Sequence, residues 1–175
     1  MKKILLILTV LIGAILVIGN ILPQDFRVER EIVINKPKDF VFDQLKMFKN
    51  HNQWSPWEKK DPNMRKEFRG KDGTVGFVSA WSGNKEVGIG EQEITFIAEG
   101  EKIETELRFK EPMEDTSRAY LITESTGNNQ TKVIWGMTGK TPFPGNIICA
   151  LMKMQEKLGS DFEEGLNTLK IVLEK

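Results

Sequence analysis

Between residues 64 and 138 the chain keeps a period of two. The clearest stretch places Ile103, Thr105, Leu107 and Phe109 in alternation with Lys102, Glu104, Glu106, Arg108 and Lys110. Successive side chains of a strand point to opposite faces, so this pattern predicts a strand with one apolar and one charged face, in a sheet that is wet on one side. The same parity predicts strands over 64–69, 75–81, 87–98, 102–110, 117–125 and 131–138. Turn-forming residues separate them at Gly70 to Gly73, Ser82-Gly83-Asn84, Glu99-Gly100, Pro112 and Gly127-Asn128-Asn129. Connections of hairpin length predict an antiparallel meander. A further strand precedes it over 27–35, marked by Val28, Ile32 and Ile34.

On both sides of this region the period becomes three to four. Asn35 is placed to cap a helix that carries Pro37 in its first turn and Phe40, Val41, Leu45 and Phe48 on one side, ending near Met47. The aromatic, proline-containing stretch 48–62 predicts a short second helix and a loop. At the other end Ile147, Ile148, Leu151, Met152, Leu158, Phe162, Leu166, Leu169 and Val172 predict one amphipathic helix of about 30 residues, roughly 45 Å long. The fold class is therefore α+β: a curved antiparallel sheet of about seven strands, two short helices after the first strand, and a long C-terminal helix that alone can cover the apolar face. Space between such a sheet and helix is the expected place for an apolar ligand.

The N-terminus follows neither pattern. Ile4 to Leu22 is uncharged, with only Thr9 and Asn20 polar, and Pro23 ends it. As a helix it would measure about 28 Å, close to the ~30 Å hydrocarbon core of a bilayer. This predicts a membrane anchor over 1–25, with a signal-anchor helix at about 4–22, and a soluble domain over 26–175. The run lacks a good small-x-small cleavage site, which favours retention over removal. Lys2 and Lys3 place the N-terminus in the cytoplasm and the domain outside it, as a single-pass membrane protein.

Composition narrows the chemistry. The 25 Lys plus Arg balance 25 Asp plus Glu, which argues against nucleic acid as a partner. The single cysteine, Cys149, excludes an intramolecular disulfide and a multi-cysteine zinc site, and the single histidine, His51, excludes a His-rich metal centre. No nucleotide-binding loop or nucleophile elbow is present, and no cofactor is implied.

Four segments carry a resemblance. Trp54-Ser55-Pro56-Trp57 is followed by Asp61-Pro62-Asn63-Met64, and Trp81-Ser82-Gly83-Asn84 leads into Val87-Gly88-Ile89-Gly90. Thr131 to Met137 reads T-x-V-x-W-x-M, and Asp161 to Leu169 reads D-F-E-x-G-L-x-x-L. Together they resemble the polyketide cyclase/dehydrase and lipid-transport group of the SRPBCC superfamily, the START and birch-pollen-allergen-like proteins. The resemblance covers essentially Arg27 to Lys175. It implies the helix-grip fold and a hydrophobic ligand more than any one reaction.

The candidate ligand-binding residues are Trp54, Trp57, Phe77, Trp81, Leu107, Phe109, Trp135, Met137 and Met152. Trp54 and Trp57 line a pocket mouth or pack their loop onto the core; the strand residues line a cavity or simply fill the core. Gly88 and Gly90 mark a bend or a close approach. His51 has the pKa range of an acid or base but no evident partner, and Cys149 reads as a small buried hydrophobe. Glu91, Glu93, Asp61 and Arg118 are possible polar groups that spacing alone does not pair. Three functions fit: a membrane-anchored module that binds a hydrophobic or amphipathic small molecule, possibly a lipid; a cyclase, dehydratase or hydrolase acting in the same cavity; and a protein-interaction domain with a filled core.

Overall fold

The computed structural model describes residues 2–4, 7, 13, 17 and 19–175. Its elements are β1 (Asp25–Ile34), α1 (Lys38–Lys46), a 3-10 helix (Phe48–Gln53), α2 (Pro56–Lys60), β2 (Arg65–Arg69), β3 (Val78–Ser82), β4 (Ile89–Ala98), β5 (Lys102–Glu111), β6 (Asp115–Gly127), β7 (Gln130–Lys140), α3 (Gly145–Leu151) and α4 (Met154–Glu174). The strands form one seven-stranded sheet in the order β1-β7-β6-β5-β4-β3-β2. Every neighbouring pair is antiparallel. Strands β2 to β7 are thus the expected meander, and β1 closes against the last of them.

Register turns parity into rows of side chains on the inner face. Directly opposed residues share a face, so Ile94, Thr105, Ala119, Met137 and Val28 form one row across β4, β5, β6, β7 and β1. Ile103, Leu121 and Trp135 form the next. Both rows are buried. α1 contributes Val41, Phe42 and Leu45 to the core above them.

α4 lies along β1, at the end of the sheet farthest from β2. Phe162, Leu166, Leu169 and Leu173 recur at four-three-four spacing and are buried. Phe162 stacks on Trp135 with ring centroids 4.2 Å apart. At Gly165 a Cβ would sit 2.7 Å from the Trp135 ring, so the missing side chain lets helix and sheet approach.

Three expectations are corrected. The C-terminal segment is two helices, because Lys153 adopts a left-handed conformation (φ 52°, ψ 42°) after Met152. The break lets α3 turn to the N-terminal segment, where the buried Asn146 amide donates to the carbonyls of Gly19 (2.8 Å) and Leu22 (3.3 Å). α1 starts at Lys38 with Pro37 in the cap position, so Asn35 does not cap it. Finally, among the described residues no helix is long and apolar enough to cross a membrane, which overturns the single-pass localisation; much of the span expected over 4–22 lies outside the described residues.

Candidate functional site

The inner face continues past the buried rows towards β2, and there it opens. One row runs Lys66, Trp81, Gly90, Phe109 and Asp115 across β2 to β6. The next runs Phe68, Ser79, Gln92, Leu107 and Ser117 across the same strands. Lys66, Phe68, Ser79, Trp81, Gln92, Leu107 and Phe109 are all half-buried. Gly90 explains the shape of the first row. A Cβ there would lie 2.6 Å from the Trp81 ring, so Trp81 lies flat across the glycine and meets Phe109 edge to face at 5.8 Å. The close approach at Gly90 is thus made by side chain and backbone of the neighbouring strands, Trp81 and the Arg108 carbonyl. The indole nitrogen of Trp81 donates to the Val87 carbonyl at 3.3 Å.

The second row gives this groove a polar floor. Gln92 Nε2 donates to Thr105 Oγ1 at 2.8 Å, and the Ser117 hydroxyl donates to Asp115 Oδ2 at 3.1 Å. Gln92 and Ser117 are absent from the aromatic-led reading of the sequence. Their signal is nonetheless present: both hold the inward parity of their strands, Gln92 with Ile94 and Ser117 with Ala119 and Leu121. The charged ends of the first row stand apart. Lys66 contacts Glu58 and Asn52, whereas Asp115 lies four strands away, roughly 19 Å at the ordinary strand spacing.

The remaining candidates fall into two places. Trp54, Phe77, Trp135 and Met137 are core residues. Trp54 packs edge to face on Trp135 at 5.2 Å, and half-buried Trp57 does the same at 5.6 Å. Phe77 meets Phe68 at 6.0 Å and Phe48 at 6.1 Å. The grip between sheet and α4 is therefore filled at this end by Trp54, Trp57, Trp135 and Phe162. Met152 does not join them; it ends α3 and is 51% exposed. One surface concavity, of about 250 Å³, lies elsewhere beside Asp39, Asp43 and Glu99, and another, of about 490 Å³, lies at the Ser117 end of the second row, beside Asp25, Glu106, Arg118 and Lys140.

Asp61, Glu91, Glu93 and His51 have structural partners, whereas Arg118 is exposed and lines the larger concavity. Asp61 Oδ2 accepts from the Asn84 backbone at 2.7 Å, and Asn84 Nδ2 donates to the Lys60 carbonyl at 2.9 Å. These bonds join the segment after Trp57 to the hairpin after Trp81, so two of the sequence motifs are one contact. The other two meet where Phe162 and Gly165 abut Trp135. Glu91 and Glu93 lie on the outer face, both bonded to Arg108 at 2.9 and 2.7 Å. Arg69 and Arg108 hold the Glu91 carboxyl below its ordinary range. His51 Nε2 donates to the Leu45 carbonyl at 2.7 Å, and its ring packs between Phe48 and Trp54. Burial pushes its pKa down to about 4, so it is neutral at pH 7. Among the described residues no group of three or more His, Cys, Asp or Glu side chains is arranged to hold a metal ion.

No protein-family model matches the chain, and no curated protein matches it by sequence. Solved structures do. The chain is similar to protein MLL2253 from Mesorhizobium loti (13% identity, 85% of this chain, 97% of that one, TM-score 0.63). It is similar to the Aha1 dimer from Colwellia psychrerythraea (15% identity, 85% and 96%, TM-score 0.59). It is also similar to CalU16 from Micromonospora echinospora (13% identity, 85% and 83%, TM-score 0.55). The likeness is one of fold: this chain shares with those proteins the α+β arrangement of an open antiparallel sheet and a C-terminal helix.

Proposed function

We propose that the chain is a member of the SRPBCC superfamily, in its polyketide cyclase/dehydrase and lipid-transport group, and binds an amphipathic small molecule such as a lipid in the inner-face groove. Its apolar part lies against Trp81, Leu107 and Phe109, and its polar groups meet Gln92 and Ser79. One observation carries this reading: the same inner face is closed over β1 and β7 by α4, and half-open over β3 to β5, where it mixes aromatic walls with hydrogen-bonding side chains. Ligand sites combine mostly apolar linings with a few placed polar groups. Lys66 at one end of the row is paired with Glu58, and Asp115 stands at the other end, bonded to Ser117, so the acids and the base at the two ends hold each other or a neighbour, which supports binding over catalysis.

The test is titration with the fluorescent apolar probe 1-N-phenylnaphthylamine. Saturable binding is expected, with quenching of tryptophan emission. Leu107→Arg, at a half-buried margin position, is expected to weaken it at least tenfold (about 1.4 kcal/mol) while the far-ultraviolet circular dichroism is unchanged. Equal binding by the variant, or none by the parent chain, would sink the groove as a ligand site.

A further inference from the structure

We propose that α3 rests its outward apolar face on an anionic lipid surface. A surface helix normally turns its apolar stripe to the core. α3 is inverted. Ile148, Leu151 and Met152, at i, i+3 and i+4, share one face and are 51%, 80% and 51% exposed. Its inward side combines Asn146, 4% exposed and bonded to the carbonyls of Gly19 and Leu22, with half-buried Ile147, which packs beside Gly19. The left-handed turn at Lys153 keeps this orientation separate from that of α4, which buries its own stripe.

Two further observations select the occupant. Asn146 holds the Gly19 and Leu22 carbonyls beside α3, and between them in the chain Ile21 is 76% exposed, so an exposed apolar side chain of the N-terminal segment stands near this helix. The flanks carry a small excess of cations: Lys140, Lys153 and Lys157 against Asp25, opposite Lys140 in register, and Glu156, which bonds Lys153 at 3.2 Å. A short exposed apolar face with an excess of lysine over acid at its ends suits the boundary between headgroups and acyl chains, where lysine stems follow the apolar surface and their ammonium groups meet anionic lipid. The contact is made from one side of the bilayer and needs no crossing helix. It stands independently of the groove.

The test uses the full chain carrying Cys149→Ser, with the environment-sensitive nitrobenzoxadiazole dye attached at Leu151→Cys or, as control, at Ser160→Cys on the exposed side of α4. Vesicles of phosphatidylcholine with and without phosphatidylglycerol are added. The expected result is a blue shift at position 151 with mixed vesicles, a smaller one with phosphatidylcholine alone, and none at position 160. Adding Ile148→Glu is expected to weaken vesicle binding at least tenfold. A water-like signal at 151 on both vesicles would overturn the proposal. So would equal shifts on both, or at both positions. A shift that grows with protein concentration in the absence of vesicles would assign the face to a second copy of the chain instead.

Discussion

His51 shows how a residue suited to proton transfer becomes structural. Its ring is enclosed by Phe48 and Trp54, and its folded pKa of about 4 lies below the ordinary 6.5. Between those values the unfolded chain binds the proton and the folded one does not, so stability rises with pH. It is fully present above pH 6.5 and is lost as pH falls towards 4. The shift corresponds to about 3 kcal/mol, to be measured as the change in urea unfolding free energy across that window. His51→Gln keeps a donor for the Leu45 carbonyl and does not titrate; it is expected to flatten this dependence. A parent chain already flat between pH 6.5 and 4 would show that His51 is not desolvated. Two glycines make a second residue-scale comparison. Gly76 and Gly88 both have left-handed backbones (φ 87° and 70°), yet a Cβ at Gly76 meets nothing within 4 Å while one at Gly88 meets the Glu111 carbonyl oxygen at 2.2 Å. Gly76→Ala is expected to cost about 1–2 kcal/mol, for backbone strain alone. Gly88→Ala is expected to cost several kcal/mol, because strand pairing must also shift. Equal losses in thermal melts would refute the steric part.

At the scale of elements, side-chain bonds join pieces that local pattern leaves separate. The Asp61 carboxylate ties the end of α2 to the β3–β4 hairpin through Asn84. Asp61→Ala is expected to cost about 1–2 kcal/mol and to speed hydrogen exchange at the Asn84 amide, with α4 unaffected. Unchanged exchange there would show that the turn holds itself. The strands themselves were legible, because alternation such as Ile103, Thr105, Leu107 and Phe109 maps directly onto one face. Strand ends were less so: β3 begins at Val78 rather than near 75, because the glycines at 70, 73 and 76 all take left-handed backbones ahead of it. The division between α3 and α4 carries no local mark, since neither glycine nor proline stands at 152 or 153. It is accompanied by a contact with Gly19, 127 residues away, which no window of periodicity contains. The groove was half legible. Its aromatic walls follow from the parity of apolar positions in the strands, but Gln92 and Ser117 gain meaning only once register sets them beside Leu107.

For the whole molecule, the same residue types do two jobs according to position on one curved face. Where α4 covers the sheet, Trp135 and Phe162 are packing; where cover ends, Trp81 and Phe109 become a wall open to solvent. Phe162→Ala is expected to cost about 3–5 kcal/mol and to shift tryptophan emission, because Trp135 loses its stacked partner. The sheet's closure has a kinetic side as well. β1 pairs with β7, Asp25 opposite Lys140 and Ile34 opposite Thr131, so the first strand made is completed by the last. During synthesis β1, α1 and the Trp54 loop leave the ribosome well before Trp135 exists to receive them. Such non-local pairing bears a loop-closure entropy before any contact rewards it, and chains of this kind fold in milliseconds to seconds. A nascent chain that stops short of Gln130 holds β1 as an unpaired, aggregation-prone segment, and the domain's commitment to its fold waits on the final third of its sequence.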